Sequence, residues 1–237
     1  MINSSNTNYI FLSYLAIIII ILIICYSSYN KYNKETFNNL DIDELYTNIT
    51  GHVAIDILNW NVHHTYGEVT NEGMKILNEA FNHHGPLHKY DLPKKTFYDL
   101  GCGVGKLIIT IANNNSKINS VGYEIVTDRV NKGNTVLAKI KDKQLLDRLT
   151  LKEQDIFDND LDFTDACWIF FSNLCLKYDD LTILTKKLDK EAPIGSIIIC
   201  SKEMPFEKTS RFKKLSDKIL VPMSWGKDST CFIYKKI

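Results

Sequence analysis

Apolar residues fall along this chain in three different rhythms. The first is an unbroken block over residues 9–26, rich in isoleucine and without a charged side chain. The second is a helical spacing. Leu40, Ile42, Leu45 and Tyr46 make one short apolar face, and Met74, Leu77 and Phe81 repeat at helical intervals. Thr70 or Asn71 is placed to cap that second helix, and Gly85-Pro86 stops it. The third rhythm is a series of short, mostly apolar stretches, at residues 96–100, 120–124, 149–151, 166–171 and 194–200, of which 166–171 is apolar throughout. Runs of that length suit strands covered on both faces. Helix candidates at residues 107–112, 126–141 and 180–188 stand between them. The strand at 149–151 is expected to run on through Gln154 and end at the carboxylate of Asp155. Strand and helix in alternation predict an α/β, doubly wound and mostly parallel sheet. Two last runs, 218–221 and 231–234, flank Gly226-Lys227-Asp228 and predict an antiparallel hairpin closing the sheet.

The first block has about the length that a helix needs to span a bilayer, with Tyr9 and Tyr26 suited to the headgroup level. A cleaved signal peptide is the rival reading. It asks for a basic leader, a shorter apolar core and a small-residue cleavage site, and none is clear. Lys31 and Lys34 are the first charged side chains and follow the block. The positive-inside rule therefore expects a single-pass membrane protein with residues 31–237 in the cytosol and residues 9–26 in the lipid. The chain divides into an anchor over 1–30, a tether and helical lead-in over 31–93, and an α/β domain over 94–237.

Composition narrows the partners. With 237 residues, 45% of them hydrophobic, the chain supports one well-buried domain plus extensions. Lys+Arg and Asp+Glu both count 28, so no net field attracts a polyanion, and no basic stripe offers a direct nucleic-acid site. The cysteines at 25, 102, 167, 175, 200 and 231 form no C-x-x-C and mostly sit in apolar runs, as reduced buried side chains do. All six histidines lie between 52 and 88. His63-His64 and His83-His84 are adjacent and point apart, and Gly85-Pro86 separates His84 from His88, so no metal site is expected.

The chemistry concentrates after the 96–100 run, in Asp99-Leu100-Gly101-Cys102-Gly103-Val104-Gly105-Lys106. Glycines there permit positive φ and close approach of a ligand to the backbone, and the following helix offers unpaired N–H groups. The pattern D-x-G-x-G-x-G resembles the S-adenosylmethionine loop of the class I methyltransferases. The next strand ends in Glu124, about 20 residues on, where α/β nucleotide folds place a carboxylate for ribose hydroxyls. Asp155 is placed to accept from the adenine amino group, Ile156 to pack on the ring, and Asp99 to meet the ammonium of the amino-acid tail. Gly101, Gly103, Gly105 and Lys106 complete this end of the cofactor site.

Two further stretches, Thr65-Tyr66-Gly67-Glu68-Val69-Thr70 and Phe170-Phe171-Ser172-Asn173-Leu174-Cys175-Leu176, sit on either side of that loop. With Met223-Ser224-Trp225 and Phe232 near the end, they resemble the disruptor-of-telomeric-silencing family, histone-lysine methyltransferases without a SET domain. The resemblance runs from about Trp60 to the C-terminus. It implies a seven-stranded class I methyltransferase sheet whose last strand is antiparallel. It implies that Tyr66 and Glu68 close over the methionine end of the cofactor, with Asn173 also in the cofactor set. It further implies that Tyr66, Ser172, Asn173, Trp225 and Phe232 surround the transfer point, where an aromatic, apolar channel lowers the pKa of an incoming lysine. The chain departs from the family at Ser172, Leu174, Leu176, Val69 and Phe232, where the family carries asparagine, phenylalanines, a hydroxyl residue and tyrosine. The function implied is membrane-tethered methylation of protein lysine, a histone among the candidate acceptors. Methylation of a small molecule or RNA, and a cofactor-binding scaffold without catalysis, are the alternatives.

Overall fold

The computed structural model describes residues 17–23, 40–52 and 66–237. The chain divides into two units, Met1–Leu40 and Asp41–Ile237. In the first, residues 17–23 are helical and exposed. Among the described residues no helix is long and apolar enough to cross a membrane. Residues 9–16 and 24–26 of the apolar block, the tether up to Asn39, and His63, His64 and Thr65 lie outside the described residues.

The second unit starts with a one-turn helix, α1 (Ile42–Leu45), whose first N–H groups donate to the Asp41 carboxylate. Helix α2 (Asn71–His84) begins where Thr70 Oγ1 accepts from the Gly73 N–H. It buries Met74, Leu77 and Phe81, as its spacing predicts, and ends at Gly85. The Gly85 carbonyl accepts from Trp168 Nε1 at 2.7 Å, and Phe81 stacks on the same indole.

The sheet follows as β1 (Thr96–Leu100), β2 (Asn119–Glu124), β3 (Leu149–Glu153), β4 (Ala166–Phe171), β5 (Ile197–Cys200), β6 (Phe212–Met223) and β7 (Gly226–Lys236). Its spatial order is β3-β2-β1-β4-β5-β7-β6. The first five strands are parallel, and β7 runs antiparallel to both neighbours. Every residue of β1, β4 and β5 is buried, which explains the unbroken apolar runs of β4 and β5. Helices α3 (Lys106–Asn114), α4 (Thr127–Leu137), α5 (Lys143–Leu146) and α6 (Tyr178–Glu191) make the crossovers. The chain order reverses between β1 and β4, and ligands of open α/β sheets bind at such a switch point.

Four of the boundaries that differ from the sequence expectation have a definite structural reason. Helix α4 stops at Leu137 because Lys139 and Ile140 take shorter bonds to Val136 and Leu137, and Asp142 caps α5. Strand β3 ends at Glu153. Asp155 and Ile156 belong to the turn after it, where the Asp158 N–H donates to the Asp155 carbonyl. Strand β5 starts at Ile197, because Gly195 has φ 90° and Ser196 Oγ bonds the Ala166 and Pro193 carbonyls. The hairpin turns at Ser224-Trp225, with Met223 opposite Gly226, so Gly226-Lys227-Asp228 is strand and not turn.

Candidate active site

The carboxyl ends of β1, β2 and β4 meet at the glycine loop. Gly101, Gly103 and Gly105 have φ of 85°, 57° and 81°, the left-handed region that favours glycine. The Gly101 and Cys102 N–H groups both donate to the Tyr123 carbonyl, at 2.8 and 3.0 Å, which folds the loop back over β2 before α3 begins.

Two buried carboxylates stand behind this loop in contrasting environments. Glu124 has three donors. Its Oε2 accepts from the Gly103 N–H at 2.9 Å, and its Oε1 from the Val126 N–H at 3.0 Å and from Arg129 at 3.5 Å. An ionised carboxylate has about four acceptor positions, so Glu124 keeps only limited capacity for a ligand. Asp99 is 4% exposed, and among the described residues no donor reaches its carboxylate. Burial, and secondarily the charge of Glu124, push its pKa up to about 8. Burial likewise pushes the neighbouring Cys102 thiol up.

A cavity of about 340 Å³ opens in front of Glu124, walled by Asp155, Ile156, Phe171 and Leu174 among others. A smaller one, about 40 Å³, holds Asp99, Cys102, Glu68 and Lys106. Tyr66, Gly67, Gly101, Ser172 and Trp225 line both, so the two meet at these residues. The larger volume is in the range of small-molecule sites. Asp155 Oδ1 accepts from the Phe157 N–H at 3.0 Å, which fixes its turn.

The segment after Thr65 forms one wall. The Tyr66 hydroxyl donates to the Glu68 carboxylate, and burial, then that bond, pushes the phenol pKa up. The Arg129 guanidinium lies 4.7 Å from the Tyr66 ring centre. A Cβ on Gly103 would stand 2.8 Å from that ring, and one on Gly67 would stand 2.2 Å from the Trp225 ring. The segment is bonded to the tip of the β6–β7 hairpin. The Glu68 N–H donates to Ser224 Oγ at 3.0 Å, the Ser224 N–H to the Glu68 carbonyl at 2.7 Å, and the Thr70 N–H to the Pro222 carbonyl at 3.1 Å. Lys106, expected to face cofactor, spends its ammonium on Asp43 at 3.1 Å and lies over the Tyr46 ring. Tyr46 in turn donates to the Val104 carbonyl at 2.9 Å, so the lead-in is fastened to the glycine loop.

Gly105, Asn173 and Phe232 are the expected site residues that line neither cavity. Asn173 is fully buried; its Oδ1 accepts from the Lys202 N–H at 2.7 Å and its Nδ2 donates to the Lys202 carbonyl at 2.9 Å. It joins the end of β4 to the end of β5. Phe232 sits opposite Cys200 in β7, with the Lys214 and Lys218 ammonium groups 5.7 and 5.5 Å from its ring centre. Sequence reasoning passed over Arg129. The available signal was a lone arginine one turn after the strand-end Glu124, between the apolar Val126 and Val130. Among the cysteines, Cys167, Cys200 and Cys231 are buried as expected, while Cys175 is exposed.

A family model described as a putative methyltransferase matches residues 93–165, from just before β1 to just before β4. No curated protein matches the sequence. Among solved structures, the glycopeptide N-methyltransferase MtfA is similar at 14% identity and a TM-score of 0.52, over 70% of this chain and 90% of that one. Geranyl diphosphate C-methyltransferase from Streptomyces coelicolor A3(2), solved with S-adenosyl-L-homocysteine, is similar at 15% identity and a TM-score of 0.42, over 53% and 42%. StiE O-MT residues 961–1257 are similar at 16% identity and a TM-score of 0.44, over 61% and 53%. At such identities a likeness speaks for fold alone. The strand order described above and the likeness to MtfA give this chain the class I methyltransferase fold.

Proposed function

We propose that this chain is an S-adenosylmethionine-dependent methyltransferase acting on an amine nitrogen, with a protein lysine side chain as acceptor, of the disruptor-of-telomeric-silencing type. The observation that carries the reading is Asp99. A buried carboxylate without a donor is costly, and here it lies in a small cavity at the glycine loop of a methyltransferase fold. A cationic group entering that cavity removes the cost, and the amino-acid end of S-adenosylmethionine carries an ammonium. When bound, the cofactor supplies a methyl group activated by its sulfonium. Asp99 holds the ammonium, Glu124 takes a ribose hydroxyl with its remaining capacity, and Asp155 and Ile156 hold the adenine by its amino group and face. Tyr66 and Glu68 cover the methionine end. Ser172 and Trp225, which line both cavities, flank the transfer point.

The acceptor nitrogen must arrive without its proton, because an ammonium has no lone pair. Apolar walls disfavour the charged form of an amine, and Phe171, Leu174 and Trp225 provide such walls. The Tyr66-Gly67-Glu68 segment, bonded to the Ser224-Trp225 tip, supports the lysine reading through its resemblance to the family. A second reading, a small-molecule amine, is favoured by the exposure of Ile125, Leu174 and Trp225, which leaves an open apolar mouth and not a narrow channel. The apolar block over residues 9–26 supports attachment to a bilayer, with the α/β domain in the cytosol.

Two measurements test these readings. Calorimetry with S-adenosylhomocysteine is expected to show one site per chain; absence of binding refutes the cofactor assignment. Incubation with methyl-labelled cofactor and cell fractions is expected to label protein, with methyl-lysine in the hydrolysate. Label confined to metabolites or RNA refutes the lysine acceptor.

A further inference from the structure

Arg129 sits on the first turn of α4 and is 2% exposed. A guanidinium does not lose its charge inside a protein, so its burial requires partners. Three of them lie on different parts of the cleft. Its NH1 lies 3.5 Å from Glu124 Oε1, at the end of β2. Its Nε donates to the Gly51 carbonyl at 3.0 Å, in the lead-in that precedes the cleft wall. Its plane lies 4.7 Å from the centre of the Tyr66 ring. That ring is pinned on its other sides. A Cβ on Gly51 would stand within 1.9 Å of it and one on Gly103 within 2.8 Å, so the glycines leave the space it fills. The Tyr66 hydroxyl meets Glu68, and Glu68 is bonded through its backbone to the hairpin tip.

One cation therefore touches both the carboxylate assigned to the ribose and the aromatic ring assigned to the methionine end. We propose that Arg129 is a positioning residue that couples Glu124 to closure of the Tyr66 segment, so that occupancy at the ribose end holds the cover over the other end. The inference rests on the cofactor reading above. A ligand hydroxyl donating to Glu124 draws on the same carboxylate charge that holds Arg129, and the guanidinium then leans more fully on the Tyr66 face, where cation–π attraction is strongest when water is excluded.

The test is a double-mutant cycle on S-adenosylhomocysteine affinity in the full-length chain. Arg129→Lys keeps the charge but loses the planar stacking face; it is expected to weaken binding about tenfold while the ligand-free melting temperature stays near that of the parent. Tyr66→Leu removes the ring. With Tyr66→Leu in place, Arg129→Lys is expected to cost less than about threefold, because its partner is gone. Losses that simply add, or an unchanged affinity for Arg129→Lys, overturn the coupling. An arginine needed only for folding lowers the melting temperature and leaves the cycle additive, which also overturns it. Arg129→Met is a stronger perturbation, expected to weaken binding by about a hundredfold. Should it not fold, the Lys cycle decides alone. If the parent chain itself binds no S-adenosylhomocysteine, the cofactor reading fails; if it binds and the cycle is additive, only the role of Arg129 fails.

Discussion

With the cofactor's ammonium on Asp99, as proposed above, cofactor affinity is a function of pH, and the sign follows from the surroundings of Asp99. Its folded-state pKa is raised to about 8, first by burial and then by Glu124. In the ligand-free protein at pH 7 the carboxyl is therefore about nine-tenths protonated, and at pH 6 about 99%. An ammonium favours the ionised form, so binding releases a proton. Each pH unit below 8 then costs about 1.4 kcal/mol of binding, which is tenfold in affinity. The dissociation constant for S-adenosylhomocysteine should fall about tenfold from pH 6 to pH 7. The gain should flatten above pH 8, where Asp99 is already ionised in the ligand-free protein. Calorimetry at pH 7 in two buffers of different ionisation enthalpy should report close to one proton released per site. Asp99→Asn should bind more weakly and lose the slope. The same shift acts on the ligand-free fold. A raised carboxyl pKa costs stability as pH climbs from the ordinary carboxylate range toward 8, so Asp99→Asn should flatten the fall in melting temperature between pH 6 and 8. Equal affinity at pH 6 and pH 7, or no proton release, would refute the placement of a cationic tail on this carboxylate.

Three further outcomes are accessible by simple substitution. Asn173→Ala leaves both Lys202 backbone groups without their buried partner and should lower unfolding free energy by about 1–3 kcal/mol in a denaturant titration. Among the described residues Ser120 Oγ is buried with no hydrogen-bond partner, so Ser120→Ala should be neutral or stabilising by up to about 1 kcal/mol; a clear loss in the same denaturant titration would refute this. Gly103→Ala combines a φ of 57° with a Cβ at 2.8 Å from the Tyr66 ring. It should cost about 1 kcal/mol in backbone strain and displace the ring, read as weaker S-adenosylhomocysteine binding in calorimetry.

The parts of the fold legible in the sequence are those where one local signal suffices. The run Ala166–Phe171 is apolar at every position because both its faces are covered, and its bounds match the strand. Thr70 caps α2 because its hydroxyl reaches the Gly73 N–H whatever else the chain does. Boundaries set by distant partners were not legible. Gly226 carries the local mark of a turn, yet the hairpin turns at Ser224-Trp225, where the Ser224 N–H is claimed by Glu68 from far back in the chain. The site divides in the same way. Asp99, Gly101, Gly103, Glu124 and Asp155 are ordered by strand ends, and they line the two cavities. Asn173 was expected at the transfer point from its motif, but its side chain has both hydrogen-bonding groups committed to Lys202. Arg129 could be seen as buried and charged only once Glu124, Gly51 and Tyr66 were brought around it.

The charge balance of the cleft constrains what it accepts. Glu68, Asp99, Glu124 and Asp155 contribute carboxyl groups to its walls, and the cations beside them are already engaged. Arg129 holds Glu124, and Lys106 holds Asp43. Among the described residues the neighbouring cations are already paired, so an anionic ligand would meet carboxylates unanswered by them, whereas a cationic one neutralises the carboxyl that burial disfavours most. The same reasoning applies at the junction of the two cavities. The Tyr66 hydroxyl donates to Glu68, and Ser172 and Trp225 carry no charge, so none of these three described residues pairs with an acidic acceptor. The amine acceptor proposed above suits such walls. Its charged form is attracted by the carboxyl-rich cleft and by the exposed face of Trp225, and its neutral form is favoured once apolar side chains close around it. Attraction at the mouth and discharge at the junction are the two conditions that methyl transfer to nitrogen requires.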